Sequence, residues 1–234
     1  MNKKPLRFTA VAFDLDGTLY PNYSFYARLV PFLLKEQRYL RAFGKARDRL
    51  RAETREESSQ DAGSLYQRQA QYMAEILGKD PVFLEERTEK IIYRGWEPLF
   101  KKVKLFPHVT EILAALREKG VKLGLLSDFP PDTKIENLGL SGYWDTVLCS
   151  EITGQLKPDP LPFLELSRAM AFPPEEILYV GNSFSYDVLG SQRTGMKAAW
   201  VISKGKYSFG DTEKKGKTDF FFYDYRQLYD FVVI

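Results

Sequence analysis

Two rhythms of apolar residues divide the chain. From about residue 105 onward, short apolar runs alternate with helix-like stretches. Residues 121–126 read as a strand; the helix before them carries apolar positions at Val109, Ile112, Leu113 and Leu116 and is stopped by Gly120. A short run at 146–149 is followed by a helix over about 161–170. Residues 177–180 lead into Gly181, then a helix over 187–194 and a strand over 198–202. A last run at 219–222 precedes a helix over 225–233. Strands alternating with helices at this spacing predict a parallel sheet covered on both faces.

The other half behaves differently. Residues 8–13 form one apolar run that ends at Asp14, but from about 24 to 95 only helical patterns follow. One covers 24–43 and is expected to bend at Pro31. A second covers 64–77 and stops at Gly78. A third starts after Asp80-Pro81, an N-cap with proline at the first helical position, and ends near Gly95. The block reads as a helical insert after the first strand, with 96–105 leading back. Residues 204–217, rich in Gly and Lys, are expected to be a mobile loop.

Composition narrows the chemistry. The 234 residues are 44% hydrophobic and 28% charged, which fits a globular protein with a real core. There is one Cys, Cys149, and one His, His108. Disulfide scaffolds, Cys/His zinc sites and Cys–His dyads are thereby excluded, leaving carboxylates, Lys and bound metal. Cys149 reads as a small buried hydrophobe, and His108 as a local cap or surface residue. No run reaches about 18 apolar residues, and the basic start is not read as a secretory signal. A cytoplasmic location is expected, with no membrane partner.

The net charge of +3 is uneven: residues 1–104 carry a basic excess and 105–234 an acidic one. The excess lies mostly between Arg28 and Arg55. Arg38, Arg41, Lys45 and Arg49 fall at steps of three or four, one face of a helix. That face is either solvated, near Glu53, Glu56 and Glu57, or lends one cation to an anionic group on a ligand. Nucleic-acid binding would require stronger basicity or a recognisable module, so a small ligand is expected instead.

Three apolar runs end in oxygen-bearing side chains: Asp14-Leu15-Asp16-Gly17-Thr18, Ser127-Asp128 and Gly181-Asn182-Ser183. In an open parallel sheet the carboxyl ends of the strands share one edge, where ligands bind, so one polar cluster is predicted. Asp-x-Asp-Gly could be a turn alone. Two carboxylates two apart in a strand-like segment, however, point the same way and call for a cation such as Mg²⁺.

Phe13-Asp14-Leu15-Asp16-Gly17-Thr18-Leu19 resembles the first motif of the haloacid dehalogenase-like superfamily. The remaining motifs come in the same order: Ser127, then Lys157 in Gln155-Leu156-Lys157-Pro158-Asp159-Pro160, then Gly181-Asn182-Ser183 with Asp187. The insert resembles the cap of one large branch. The resemblance implies a Rossmann-like α/β core at 1–21 and 105–234, with helices on both faces of the sheet, and an all-helical cap domain at 22–104. It also implies roles. Asp14 is the nucleophile, Asp16 the general acid and then base, Ser127 a donor to a phosphoryl oxygen, and Lys157 the compensating charge. Gly17 and Thr18 are expected to line the phosphate or substrate, and Asp128, following Ser127, is placed to bond either its own loop, the favoured role, or the substrate. Mg²⁺ is held by Asp14, the Asp16 carbonyl, Asn182 and Asp187.

Members that dehalogenate lack the second aspartate, so Asp16 favours phosphate chemistry on a small phosphorylated metabolite. The fourth motif departs from the pattern, with Asn182 where an Asp is usual. The expected function is a Mg²⁺-dependent phosphatase working through an aspartyl-phosphate on Asp14. Its rivals are a phosphomutase and a phosphate-ligand-binding protein with weakened catalysis. Among Tyr20, Tyr23, Phe25 and Tyr26, core packing and cap docking are the expected roles, with stacking on a substrate ring the alternative.

Overall fold

The computed structural model describes residues 5–53, 63–202 and 211–234. Six strands form one parallel sheet: β1 (Ala10–Phe13), β2 (Lys122–Ser127), β3 (Thr146–Cys149), β4 (Ile177–Gly181), β5 (Lys197–Val201) and β6 (Phe220–Phe222), in the order β3-β2-β1-β4-β5-β6. This is the doubly wound order, with its switch point at β1 and β4. The register sets Phe13 beside Leu125 on one side and Val180 on the other. Asp14, Ser127 and Asn182 therefore leave neighbouring strands at the same edge.

Both faces of the sheet are covered, and the period of two sorts the side chains. Val11, Phe13, Leu123, Leu125, Leu178 and Val180 pack in one core with α6 (Val109–Glu118) and α11 (Tyr225–Val232). Ala10, Ala12, Leu126, Ile177 and Tyr179 pack on the other face, against Phe163, Leu166 and Met170 of α8 (Pro160–Met170). The prediction of a two-face parallel sheet therefore holds.

The helical segment opens with α1 (Asn22–Lys35), α2 (Gln37–Ala52), α3 (Leu65–Leu77) and α4 (Pro81–Thr88). A π turn (Glu89–Tyr93), α5 (Arg94–Trp96) and a 3₁₀ turn (Glu97–Lys102) follow. Among the described residues from 22 to 102 there is no strand. Three expectations need correction. The helix expected over 24–43 is two helices broken at Glu36, and Pro31 lies inside α1. The third helix does not end near Gly95, because helical turns continue to Lys102. The polar stretch expected as a loop includes α10 (Asp211–Gly216), while residues 203–210 lie outside the described residues.

Local signals explain the starts and stops. Ser64 caps α3 in a reciprocal box with Gln67, and Asp80 accepts from the Phe83 N–H at 3.0 Å. His108 precedes α6 with φ of 67°, a left-handed residue whose ring makes no bond to the helix backbone and pairs with the Glu111 side chain at 2.7 Å, a local contact. One short helix that no sequence pattern announced, α7 (Asp132–Asn137), sits beside the carboxyl edge of the sheet, while α9 (Leu189–Gln192) falls within the helix expected over 187–194.

Candidate active site

Asp14 follows the central strand and is buried. Its Oδ1 accepts from Lys157 Nζ at 2.7 Å, and its Oδ2 from the Thr18 hydroxyl at 2.6 Å. The same hydroxyl lies 3.3 Å from Asn182 Oδ1, so Thr18 ties the first motif to the fourth. Thr18 is itself fixed through its carbonyl, which accepts from Tyr225 of α11 at 2.5 Å. Gly17 lies at φ of 89°, and a Cβ there would collide with the side chains of Asn22 and Asn182. Only glycine suits both the conformation and the space.

Lys157 is buried and bridges two carboxylates, Asp14 and, at 2.8 Å, Asp187 Oδ1. Burial works against its charge, but the two carboxylates outweigh burial and hold its pKa well above the usual lysine range. Asp187 reaches this point because the chain after Asn182 closes a π turn, Phe184–Val188, and Asp187 Oδ2 accepts from the Ser183 N–H at 2.9 Å. A Cβ on Gly181 would strike the Asp187 side chain, so the strand end must be bare for this approach. Burial, reinforced by Asp187 and Asp16 and opposed by Lys157, pushes the Asp14 carboxyl up to about 7.

Asp16 faces a second group of partners. Lys134 of α7 donates to both its oxygens, at 2.9 and 2.8 Å, the Tyr20 hydroxyl donates to Oδ1, and Ser127 Oγ stands 3.5 Å from Oδ2. Burial and Asp16 keep the Tyr20 phenol protonated, far above its ordinary range. Ser127 also accepts from the Phe129 N–H at 3.1 Å.

Asp128, expected to bond its own loop or the substrate, lines the polar cleft and holds protein groups. Its carboxylate accepts from Ser150 at 2.6 Å, from the Lys157 N–H at 3.2 Å and from Arg51 at 3.0 Å. Burial alone would raise its pKa, but Lys157, Arg47 and Arg51 bring it below the ordinary value. The cations that reach the cleft from α2 are not those of the face noted in the sequence. Arg38, Arg41, Lys45 and Arg49 are exposed, which makes that face the solvated one. Arg47 and Arg51, one turn apart, point inward. Arg47 forms a buried ion pair with Glu151 and donates to the Asp128 carbonyl at 2.7 Å; Arg51 also donates to the Lys157 carbonyl at 3.1 Å.

The structure thus brings together Asp14, Gly17, Thr18, Lys157, Asn182 and Asp187, with Asp16 and Ser127 adjoining. Sequence reasoning missed Lys134, Arg47, Arg51 and Glu151. For Arg47 a signal existed: it falls in register with Tyr39, Phe43, Ala46 and Leu50, the buried stripe of α2. Lys134 offered none, since the helix that carries it was not foreseen.

Among the described residues, no group of three or more His, Cys, Asp and Glu side chains is arranged to hold a metal ion. The converging donors are two carboxylates and one amide oxygen, from Asp14, Asp187 and Asn182. Hard oxygens beside a carboxyl group raised chiefly by burial and further by Asp187 and Asp16 suit Mg²⁺, which keeps water and phosphate oxygens in its shell.

Comparison with known proteins agrees with this architecture. A family model described as haloacid dehalogenase-like hydrolase matches residues 8–195. A glyceraldehyde 3-phosphate phosphatase from Methanopyrus kandleri is 31% identical over 90% of this chain and 89% of its own length. A phosphoglycolate phosphatase from Salmonella typhi is 26% identical over 93% of this chain and 90% of its own. Among solved structures, a 2-haloacid dehalogenase from Pseudomonas syringae superposes with a TM-score of 0.62 at 26% identity, covering 96% of this chain and 97% of its own. A phosphatase from Thermococcus onnurineus gives 0.64 at 23% identity, covering 95% and 96%, a likeness of fold.

Proposed function

The chain belongs to the haloacid dehalogenase-like hydrolases, and on that premise we propose that it is a phosphatase acting on a small phosphomonoester through an aspartyl-phosphate on Asp14. One observation carries the choice between the family's two chemistries. Asp16 is present at the cleft, oriented by Lys134, Tyr20 and Ser127, as a proton-transferring carboxylate must be. The relatives named as phosphatases support the same reading.

In this reading an Asp14 carboxylate oxygen attacks phosphorus and the bond to the ester oxygen breaks. Asp16 gives its proton to the departing alcohol. Asp16 then takes a proton from water, whose oxygen attacks phosphorus and breaks the bond to Asp14, releasing phosphate. Lys157 neutralises charge beside the nucleophile, and the Ser127 hydroxyl donates to a phosphoryl oxygen. Gly17 and Thr18 line the phosphate. Asp128 acts at one remove, holding the Lys157 backbone and Arg51. Mg²⁺, held by Asp14, the Asp16 carbonyl, Asn182 and Asp187, would supply charge stabilisation at the phosphoryl oxygens when bound. Residues 22–104 act as the cap on a core of 1–21 and 105–234, excluding bulk water as lids do. No helix among the described residues is long and apolar enough to cross a membrane. A cytoplasmic location, in keeping with the single cysteine, completes the proposal.

The test is phosphate release from a panel of phosphorylated sugars, nucleotides and small acids with and without Mg²⁺. Metal-dependent turnover that is abolished in Asp14→Asn is expected; wild-type protein that releases no phosphate refutes the reading. Asn182 favours one second reading, a phosphate-ligand-binding protein with weakened catalysis. Asn182→Asp separates the two. A lower Mg²⁺ concentration for half-maximal activity fits an active phosphatase, whereas tight ligand binding without turnover in either form fits the binding protein.

A further inference from the structure

Two chambers meet at Asp16. One is polar and contains Asp14, Lys157, Asn182 and Asp187. The other, of about 220 Å³, runs under the helical segment and is walled by Tyr20, Phe25, Phe43, Trp96, Phe100 and Phe129. Asp16, Asn22, Tyr26 and Phe129 belong to both walls. In the proposed reaction the phosphoryl group occupies the first chamber. The alcohol that receives the Asp16 proton must then lie toward the second.

The charges on that second wall limit what the alcohol can be. They are Asp16, Glu97 and Lys134. Lys134 is already paired with Asp16 at 2.8 Å, and Glu97 with Arg94 at 3.2 Å. Among the described residues, the charges on this wall are already paired, so no cation is left for a carboxylate. What remains is aromatic surface. An apolar cavity of about 150 Å³ already takes a benzene ring, so 220 Å³ accommodates a ring with a short linker.

We infer that the preferred substrate is a phosphomonoester of an uncharged alcohol bearing an aromatic or similarly bulky apolar group, seated in this chamber. The inference rests on the phosphatase reading. It separates this chain from an enzyme specialised for phosphoglycolate, whose carboxylate finds no free cation on this wall, Arg51 of the polar chamber being paired with Asp128.

The test compares benzyl phosphate with ethyl phosphate, phosphoglycolate and glyceraldehyde 3-phosphate in Mg²⁺, with acetyl phosphate as a small substrate that does not use the chamber. Benzyl and ethyl phosphate both release alkyl alcohols, so leaving-group reactivity is close to matched. We expect kcat/KM for benzyl phosphate to exceed the others by about tenfold or more. Ile92 is buried on the same wall, and Ile92→Trp, which fills the chamber, should bring the benzyl-to-ethyl ratio close to one. Equal or better turnover of phosphoglycolate, glyceraldehyde 3-phosphate or ethyl phosphate by the wild type overturns the inference while leaving the phosphatase reading intact. Absence of turnover on every one of these esters and on acetyl phosphate, an acyl phosphate, overturns the phosphatase reading and this inference with it.

Discussion

Replacing Arg47 by methionine should damage the protein far more than its place in a charge-rich helix suggests. The guanidinium is buried, pairs with Glu151, donates to the Asp128 carbonyl at 2.7 Å and lies 4.1 Å from the centre of the Phe129 ring. Arg47→Met leaves Glu151 as a buried charge whose remaining partners are hydroxyls, chiefly Tyr93 at 2.8 Å. Removing one member of a buried pair costs about 3–5 kcal/mol. The lost ring contact, desolvated here, adds up to about 2 kcal/mol, so the upper end of that range is expected. Against a total stability of about 5–15 kcal/mol, this is a third or more. Glu151→Leu alone should cost a similar amount. In Arg47→Met/Glu151→Leu no buried charge is stranded, and the double variant should recover at least about 2 kcal/mol relative to the sum of the singles. Recovery stays incomplete because Tyr93 loses its acceptor, worth about 1 kcal/mol. Urea denaturation of the four proteins, with m values compared, measures the cycle. Single losses below about 1 kcal/mol, or additivity within about 0.5 kcal/mol, would refute the view that this pair clamps α2 to the core.

Three further outcomes are expected. Lys134→Met leaves Asp16 without the cation that orients it, and kcat on ethyl phosphate, whose alkoxide leaving group needs a proton, should fall about a hundredfold; an unchanged kcat means Lys134 does not position the acid. Asp128 has a folded pKa below its ordinary value, so its contribution is present above the unfolded value and lost as pH falls through the folded one. Asp128→Asn should therefore destabilise by about 1–3 kcal/mol at pH 7. The gap from wild type should shrink as pH drops below about 3.9, and denaturation curves showing a constant gap would contradict the assignment. Cys149 is buried, with its thiol pushed up to about 12, chiefly by burial and then by Glu151. It should react with a thiol reagent at pH 8 only after unfolding; rapid labelling of native protein, followed by absorbance, contradicts this.

Much of the core was legible because its strands obey a period that both faces read. Residues 146–149 were placed without error, and the other strands within about two residues. Helix starts were legible where chemistry marks them, as at Ser64 and Asp80. The break at Glu36 was not, because no Gly or Pro stands there and Pro31 fits within α1. Clustering of Asp14, Thr18 and Asn182 followed from strand order, which a linear pattern can suggest, whereas Lys157 and Asp187 were reached only through the resemblance of their motifs. The partners of Asp16 and the inward turn of Arg47 and Arg51 depend on how α2 and α7 pack. That is a tertiary fact, and an arginine in a basic stripe looks the same in sequence whether it meets water or a buried glutamate.

The insertion also sets the order in which the molecule can be made. Residues Ala10–Phe13 pair with partners more than a hundred positions later, at Lys122 and then at Ile177. During synthesis this all-apolar segment must wait for one neighbour and then for the other. Closing so long a loop is slow, and an uncovered strand edge is open to wrong partners meanwhile. If α1 to α4 collapse first on their own cluster of Tyr39, Phe43, Met73 and Leu84, the effective loop shortens. The helical block would then serve assembly before it serves the reaction, bringing the ends of β1 and β2 within reach of each other.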